Sequence, residues 1–257
     1  MNREDLVQNT NQFLACDSFE DGQENGLQIE GKHEIRKVAS AVSVNAETVD
    51  AAIAWGADML LTHHGLLWKN QPLHVRGVRR SRLAKILAAD LNLLTYHLPL
   101  DAHAQVGNNR ALAEVAGAIH VEPAFMMRGT AIGCKASIKS QDFSSWLAKF
   151  RGNLENGCNV STGPFQVWPH GPDKITTIGF LSGAAPYQVQ DAIDAGLDVY
   201  VTGEIAEGAY HLAKEAGIHF VGGGHYLTER LGVQRLGAWM QEKFAIEHQF
   251  FDVQTLA

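Results

Sequence analysis

Short apolar runs alternate along this chain with stretches whose apolar positions recur every three or four residues, a pattern that predicts strands and helices in turn. Leu6, Val7, Phe13 and Leu14 sit at helical spacing within Leu6–Ala15, and an acidic, glycine-containing loop then runs from Asp17 to a turn at Asn25-Gly26. Leu27–Ile29 reads as a short strand and Val38–Val42 as a stronger one. Asn45–Trp55 reads as a helix capped by Asn45 with Glu47 in its first turn. Met59–Thr62 reads as the strand that delivers His63 and His64. A helix over Ser81–Ala89 and a strand over Leu91–Tyr96 lead to His97-Leu98-Pro99-Leu100-Asp101. Pro99 is expected to keep a helix from starting there and so to leave His97 and Asp101 on a loop; helix resumes over Asn108–Val115. From Pro123 to about Lys174 we expect a strand at Ile132–Ile138, a helix around Phe143–Phe150, turns rich in Gly, Asn and Pro, and a strand near Phe165–Trp168. That stretch shows no evident chemistry, and Trp146 and Trp168 are expected to pack in a core or an interface.

An internal repeat carries more information than any single element. Val38 to Asp58 and Ile178 to Asp198 each read as strand, turn and helix ending in Gly-x-Asp, namely Gly56-Ala57-Asp58 and Gly196-Leu197-Asp198. Each continues through an apolar strand to a threonine, Thr62 before His63-His64 and Thr202 before Gly203-Glu204. Leu83-Ala84-Lys85 and Leu212-Ala213-Lys214 then open matching helical stretches that lead to His97 and His225, with Asp101 and Glu229 four residues further on. We infer a duplicated α/β unit, with an N-terminal half over 1–125 and a C-terminal half over 126–257, intertwined and with an approximate boundary.

The 257 residues allow one large or two modest domains with proper cores, and 46% hydrophobic with 19% charged residues is ordinary for a globular enzyme. A formal net charge of -7 argues against a general nucleic-acid binder. The local cluster Arg76, Arg79, Arg80, Arg82 and Lys85 reads first as a solvated helix face and second as an anion-collecting rim. Cys16, Cys134 and Cys158 have no C-x-x-C spacing and suggest neither a disulfide framework nor a thiolate zinc site. The charged start Met1-Asn2-Arg3-Glu4-Asp5 is unlike a signal core and no stretch is apolar long enough to span a bilayer, so a cytoplasmic protein without membrane partners is expected.

The candidate chemistry lies at the strand ends. Neighbouring side chains within a strand point to opposite faces, whereas at a strand end followed by Gly65 two adjacent imidazoles can fan toward one pocket. If the halves are related by a pseudo-twofold, corresponding strand ends face each other, and parallel sheets place ligands at such carboxyl ends. The candidate donors are then His63, His64 and Asp101 from one half and His225 with Glu229 from the other; Gly222-Gly223-Gly224 precedes His225, and a helix starting there would set Glu229 one turn later on the same face. Imidazole and carboxylate suit zinc, manganese or ferrous iron. Two such ions against two carboxylates would leave positive charge to activate a water and attract an anion. His97 reads as a sixth ligand, an orienting group, or a loop histidine bonded to backbone. Glu204 reads as a general base, a holder of an outer water, or a carboxylate favoured by a helix start. Trp68 and Lys69 could touch a substrate or pack at the rim, and Tyr210 and His211 could lean into the cleft or form a partly buried helix face.

The runs Leu61-Thr62-His63-His64-Gly65-Leu66-Leu67-Trp68-Lys69, His97-Leu98-Pro99-Leu100-Asp101, Thr202-Gly203-Glu204 and Gly224-His225-Tyr226-Leu227-Thr228-Glu229, with Asn25-Gly26-Leu27-Gln28 near the start, resemble the signatures of the NIF-three-like family, whose members carry the name GTP cyclohydrolase I type 2 homologue. The likeness spans nearly the whole chain and is greatest to short bacterial forms without an inserted domain. It implies two intertwined α/β domains with mixed sheets, a dinuclear metal site in the cleft, and a ring-shaped homohexamer. By position the family's metal ligands fall on His63, His64, Asp101, His225 and Glu229; Leu98-Pro99-Leu100-Asp101 departs from the Thr-Asn-Leu-Asp of many members but keeps the carboxylate. We therefore expect a hydrolase of a small anionic or nucleotide-like substrate that uses two divalent ions (zinc, iron or manganese), with metal-bound hydroxide as nucleophile and Glu204 and His97 in catalytic roles. The alternatives are GTP cyclohydrolase-type ring opening and a non-catalytic metal-handling protein or ring-shaped scaffold.

Overall fold

The computed structural model describes residues 1–72, 74–158 and 165–253. In chain order the first elements are α1 (Arg3–Phe13), β1 (Gly26–Ile29), β2 (Lys37–Ser43), α2 (Ala46–Trp55), β3 (Met59–His64), α3 (Gly77–Ala88), β4 (Asn92–Thr95), α4 (Leu98–Ala102) and α5 (Asn108–Val115). Then follow β5 (Ala118–Met127), β6 (Thr130–Asp142), α6 (Phe143–Glu155), β7 (Gln166–Pro169), β8 (Lys174–Phe180), α7 (Val189–Asp194), β9 (Val199–Thr202), α8 (Glu207–Ala216), β10 (His219–Gly222), α9 (His225–Phe244) and β11 (Glu247–Phe250). The chain divides into two compact units, Met1–Leu100 with Val233–Val253, and Asp101–Gly232. No helix among the described residues is long and apolar enough to cross a membrane.

The first unit holds a five-stranded mixed sheet in the order β1-β4-β3-β2-β11, parallel from β4 to β11 with β1 antiparallel at one edge. Its central strands β2, β3 and β4 are nearly continuous buried runs, as parallel strands covered on both faces require. On one side Ala39, Ala41, Leu60 and Leu93 pack with Val49 and Ala52 of α2 and Ile86 of α3. The second unit holds a six-stranded mixed sheet, β5-β6-β8-β9-β10-β7, in which β8, β9 and β10 are parallel and the other pairings antiparallel. Ile178, Val199 and Val221 from its centre pack with Trp146 and Phe150 of α6.

The same local device closes the first two parallel strands of each unit. Val38 pairs with Met59 and Ile178 with Val199, the same step along the chain. Gly56 ends α2 in the left-handed region at φ 77°, and Gly196 turns at φ 65° after α7. Two residues on, Asp58 accepts the backbone N–H of Arg36 and Lys37 at 2.9 and 3.0 Å, and Asp198 accepts those of Thr176 and Thr177 at 2.7 and 2.9 Å. Glycine lets the chain leave the helix and aspartate ties the next strand to the foot of the previous one. This is the physical content of the repeated Gly-x-Asp.

Three expectations are corrected. Pro99 does not prevent a helix: it is the second residue of α4, where a backbone N–H would have had no intrahelical partner anyway. β3 runs two residues past Thr62, so both histidines belong to the strand. Two strands were not read from the pattern, β5, whose mostly exposed positions give no strict alternation, and β11, which lies at the edge of its sheet. The Gly, Asn and Pro-rich turn expected before β7 falls largely on 159–164, outside the described residues. The basic cluster lies on α3 and just before it, and it is more than a solvated face: Arg79 donates to the carbonyls of Leu66, at 3.0 Å, and of Pro72, while Lys85 pairs with Asp50 at 2.6 Å.

Candidate metal centre

In the first unit the pairing of β3 with β4 ends at Thr62, while its pairing with β2 continues to Ser43 opposite His64. The last two residues of β3 have thus lost one neighbour, and their rings swing to within 4.6 Å, centroid to centroid, at 54°. His97, just past β4, brings a third ring to 5.0 Å from His63 and 5.7 Å from His64. One nitrogen from each of the three lies within 4.8 Å of the others, an arrangement open to a metal ion.

Each ring is held from behind through Nδ1. That of His63 lies 2.9 Å from the carbonyl oxygen of Tyr96, which can only accept, so His63 Nδ1 donates and Nε2 carries the lone pair. His64 Nδ1 meets the Ser43 hydroxyl at 2.9 Å. His97 Nδ1 meets the Asp21 carboxylate at 2.9 Å. Asp21 is buried, which raises a carboxyl's pKa, but hydrogen bonds from His97, Asn25 and the Gln23 backbone outweigh burial and hold it well below the usual range. The loop after the histidines is also fixed: Gln23 donates to the carbonyl of His63 at 3.0 Å and accepts from Gly65 N–H at 2.6 Å, and Gln28 accepts from Leu66 and Leu67 N–H at 2.8 and 2.9 Å. Trp68 donates to the Gly65 carbonyl and Lys69 to that of Asp21, so both brace this loop.

In the second unit Gly224, at φ 88°, turns the chain into α9, which begins at His225. Glu229 lies one turn on, and its Oε2 is 2.9 Å from His225 Nε2. Glu204 is not at a helix start, since α8 begins three residues later; its Oε1 lies 2.7 Å from His225 Nδ1. Burial pulls the His225 pKa down, but the hydrogen bonds and charges of Glu229 and then Glu204 outweigh it and hold it up at about 9. Gly183, at φ 69°, walls the pair closely: a Cβ there would stand 2.2 Å from Glu229 Oε1 and 3.4 Å from His225 Nε2. Asp101 is buried in the same unit, its Oδ1 accepting from Asn108 at 2.8 Å and from Ser182 at 2.9 Å. Tyr210 packs edge-on against Trp168.

Sequence reasoning missed the residues that hold these side chains. Asp21 and Gln23 were hidden in an acidic loop with no periodicity. Ser43, the last residue of β2, and Gly183, three residues past β8, stand at matching places of the repeat, and extending it by a few residues beyond the apolar run would have found both. The signal for Asn108 was two adjacent asparagines opening a helix, both buried, against the usual exposure of this residue.

The donors are imidazole and carboxylate with no thiolate among them, which suits a borderline divalent ion, and the space beside Glu229 that only glycine leaves agrees with that use. The sequence model of the family described as Duf34/NIF3 (NGG1p interacting factor 3) matches residues 1–256. A relative from Archaeoglobus fulgidus, named GTP cyclohydrolase 1 type 2 homolog, is 38% identical over 255 residues, 99% of each chain. One of the same name from Pseudomonas aeruginosa is 38% identical over 253 residues, 96% of this chain and 95% of the relative. A solved structure of protein ybgI, described as of unknown function, is similar at a TM-score of 0.92 and 30% identity, covering 100% of both chains.

Proposed function

The chain belongs to the Duf34/NIF3 family, and from that premise we propose that it is a dinuclear metal-dependent hydrolase of a small anionic or nucleotide-like substrate, with His63, His64, Asp101, His225 and Glu229 as ligands of two divalent ions. The observation that carries the reading is the His225–Glu229 pair on one face of α9, backed by Glu204 and walled by a glycine that leaves no room for a side chain. Two such ions supply Lewis acidity and a water made nucleophilic at neutral pH. The chain's own residues orient the donors: Tyr96, Ser43 and Glu204 fix the imidazoles of His63, His64 and His225, and Asn108 and Ser182 fix Asp101. Glu204, acting through His225, is a positioning residue. His97 faces His63 and His64 and can hold or return a proton there.

Ring opening of GTP is the second reading, favoured by the name the relatives carry, and it belongs to the same class because water must reach a purine carbon. The test is metal analysis of freshly purified protein followed by a panel of phosphoesters, nucleotides including GTP, and amides. Turnover that needs the metal and is lost in His64→Ala supports the hydrolase. A metal-replete protein inert across the panel, with rapid metal exchange, would favour a metal-handling role instead. The homohexamer implied by the resemblance forms part of this proposal, and sedimentation as a stable monomer would remove it.

A further inference from the structure

The helix α3 and the loop before it carry charge that the fold does not answer. From Met59 to Ala89 the sequence holds Lys69, Arg76, Arg79, Arg80, Arg82 and Lys85 and no Asp or Glu, in a chain whose net charge is -7. Lys69 donates to the Asp21 carbonyl, Arg79 to those of Leu66 and Pro72, and Lys85 pairs with Asp50 of α2. Arg76 and Arg80 are exposed, one turn apart, and neither meets a carboxylate among the described residues. They also stand where α3 begins, with no side chain capping the helix and no acid in its first turn. Their charge thus adds to a helix end that is already positive.

Apolar surface lies beside them. Ile29, Leu66, Leu67, Val75, Arg79 and Leu83 line an open cavity of about 70 Å³, a socket of the kind an aliphatic anchor fills. Leu67, Val75 and Leu87 are 39, 51 and 57% exposed. Helical spacing sets Leu87 one turn beyond Leu83 and on the same flank as Arg76 and Arg80, while Val78 and Lys85 fall on the opposite flank, toward α2. On the far side of Leu66 and Leu67 runs the loop with Asp17, Glu20 and Glu24 exposed. Glu24 donates its N–H to the Leu67 carbonyl at 3.2 Å, and the Gly22 carbonyl accepts from Lys69 N–H at 2.8 Å. An acidic, an apolar and a basic strip are therefore fixed side by side in the first unit.

We propose that this face is a twofold contact between two copies of the chain. Arg76 and Arg80 of each copy meet the acidic loop of the other, and the cavity beside Leu67 receives an apolar side chain. The inference rests on the homo-oligomer in the reading above and deepens it by naming a surface; it is independent of the metal centre. A twofold contact requires a patch complementary to itself, and rotation about an axis through the apolar strip lays basic on acidic twice. An unrelated acidic partner would need the basic strip alone. Exposed ion pairs add little affinity, so the apolar strip supplies the attraction and the charges select the register.

The experiment is sedimentation velocity of the full chain, with circular dichroism to show that each variant is folded. Arg76→Glu/Arg80→Glu, Glu20→Lys/Glu24→Lys and Leu87→Asp are each expected to reduce the assembled mass to half or less. Val78→Asp, on the flank away from the patch, is expected to leave it unchanged. Mixing the two charge-reversed variants is expected to restore the wild-type mass, because both junctions then regain opposite signs. An unchanged mass in folded Arg76→Glu/Arg80→Glu would overturn the inference and leave the homo-oligomer intact. Loss in both charge variants without recovery on mixing would overturn it too, since the acidic loop would then not be the counterpart. A wild type that sediments as a monomer ends the contact and the homo-oligomer together, and leaves the hydrolase reading standing.

Discussion

If His225 is a metal ligand as proposed, a proton and a metal ion compete for the same nitrogen. Burial disfavours the His225 imidazolium, but Glu229 and then Glu204 hold its pKa up at about 9, above the unfolded value of about 6.5. Its contribution to stability is therefore fully present below about pH 6.5 and is lost as pH rises from there through about 9, at most about 3 kcal/mol in all. A divalent ion must displace that proton, so uptake is expected to release a proton from His225 below about pH 9 and to strengthen with rising pH until then. Calorimetry in buffers of different ionisation heat measures the release, and a proton balance unchanged by Glu204→Gln would contradict the coupling. Gly183 gives a second test. Gly183→Ala forces a Cβ to 2.2 Å from Glu229 Oε1 at positive φ, whereas Gly196→Ala meets nothing within 4 Å and bears only the backbone strain. We expect Gly196→Ala to cost about 1 kcal/mol and leave ion uptake unchanged, and Gly183→Ala to cost about 2–4 kcal/mol and impair uptake. Equal losses in denaturant melts and in metal titrations would show that the wall beside Glu229 has no function.

Elements are held to each other by contacts that no local pattern announces, and the return of the chain into the first unit shows this. β11 pairs in parallel with β2, and His248 on β11 reaches Ser40 on β2 at 2.7 Å while lying under Gly237 of α9. In an open helix Gly→Ala adds about 1 kcal/mol of stability. Here the new Cβ would stand 2.0 Å from His248 Nε2, so Gly237→Ala is expected to destabilise by about 2–3 kcal/mol and His248→Ala to recover most of that loss. Additive effects in the double variant would refute the contact. Burial lowers the His248 pKa to about 4. The folded value then lies below the unfolded one, and stability is lost as pH falls from about 6.5 through about 4, on the order of 1–2 kcal/mol for this partly exposed ring. His248→Gln should flatten the acid limb of the stability profile. Strong strands bounded by turn residues, such as β2, β3 and β4, were legible in the sequence because period and punctuation agree there. β5 and β11 were not, because an edge strand need not bury one face continuously. α4 was missed because a proline that would break a helix interior is harmless in a first turn.

Across the whole molecule the repeat was the most legible feature, since it is written in backbone requirements. Gly56 and Gly196 adopt positive φ, and Asp58 and Asp198 each catch two consecutive N–H groups. The histidines and acids stood out for the same reason, being chemistry placed where strands stop. Their supports did not, because Asp21, Ser43 and Asn108 act through side-chain hydrogen bonds that leave no periodic trace. This division predicts how ions act on the fold. A ligand that binds only the folded chain stabilises it by about 2.7 kcal/mol at a hundredfold excess over its dissociation constant. For a chain of this length that is about 5–10 °C in melting temperature. Zinc, manganese or ferrous iron is therefore expected to raise the melting temperature of chelator-treated protein by that amount, and His64→Ala or Glu229→Gln to reduce the gain. Asp58→Asn should behave in the opposite way, melting lower because it loses the charge that holds Arg36, Lys37 and Lys32, yet keeping the full gain on adding metal. Melting curves with and without chelator decide the matter: if the strand-tying and metal-facing variants lose the ion response alike, the division between scaffold and site is wrong.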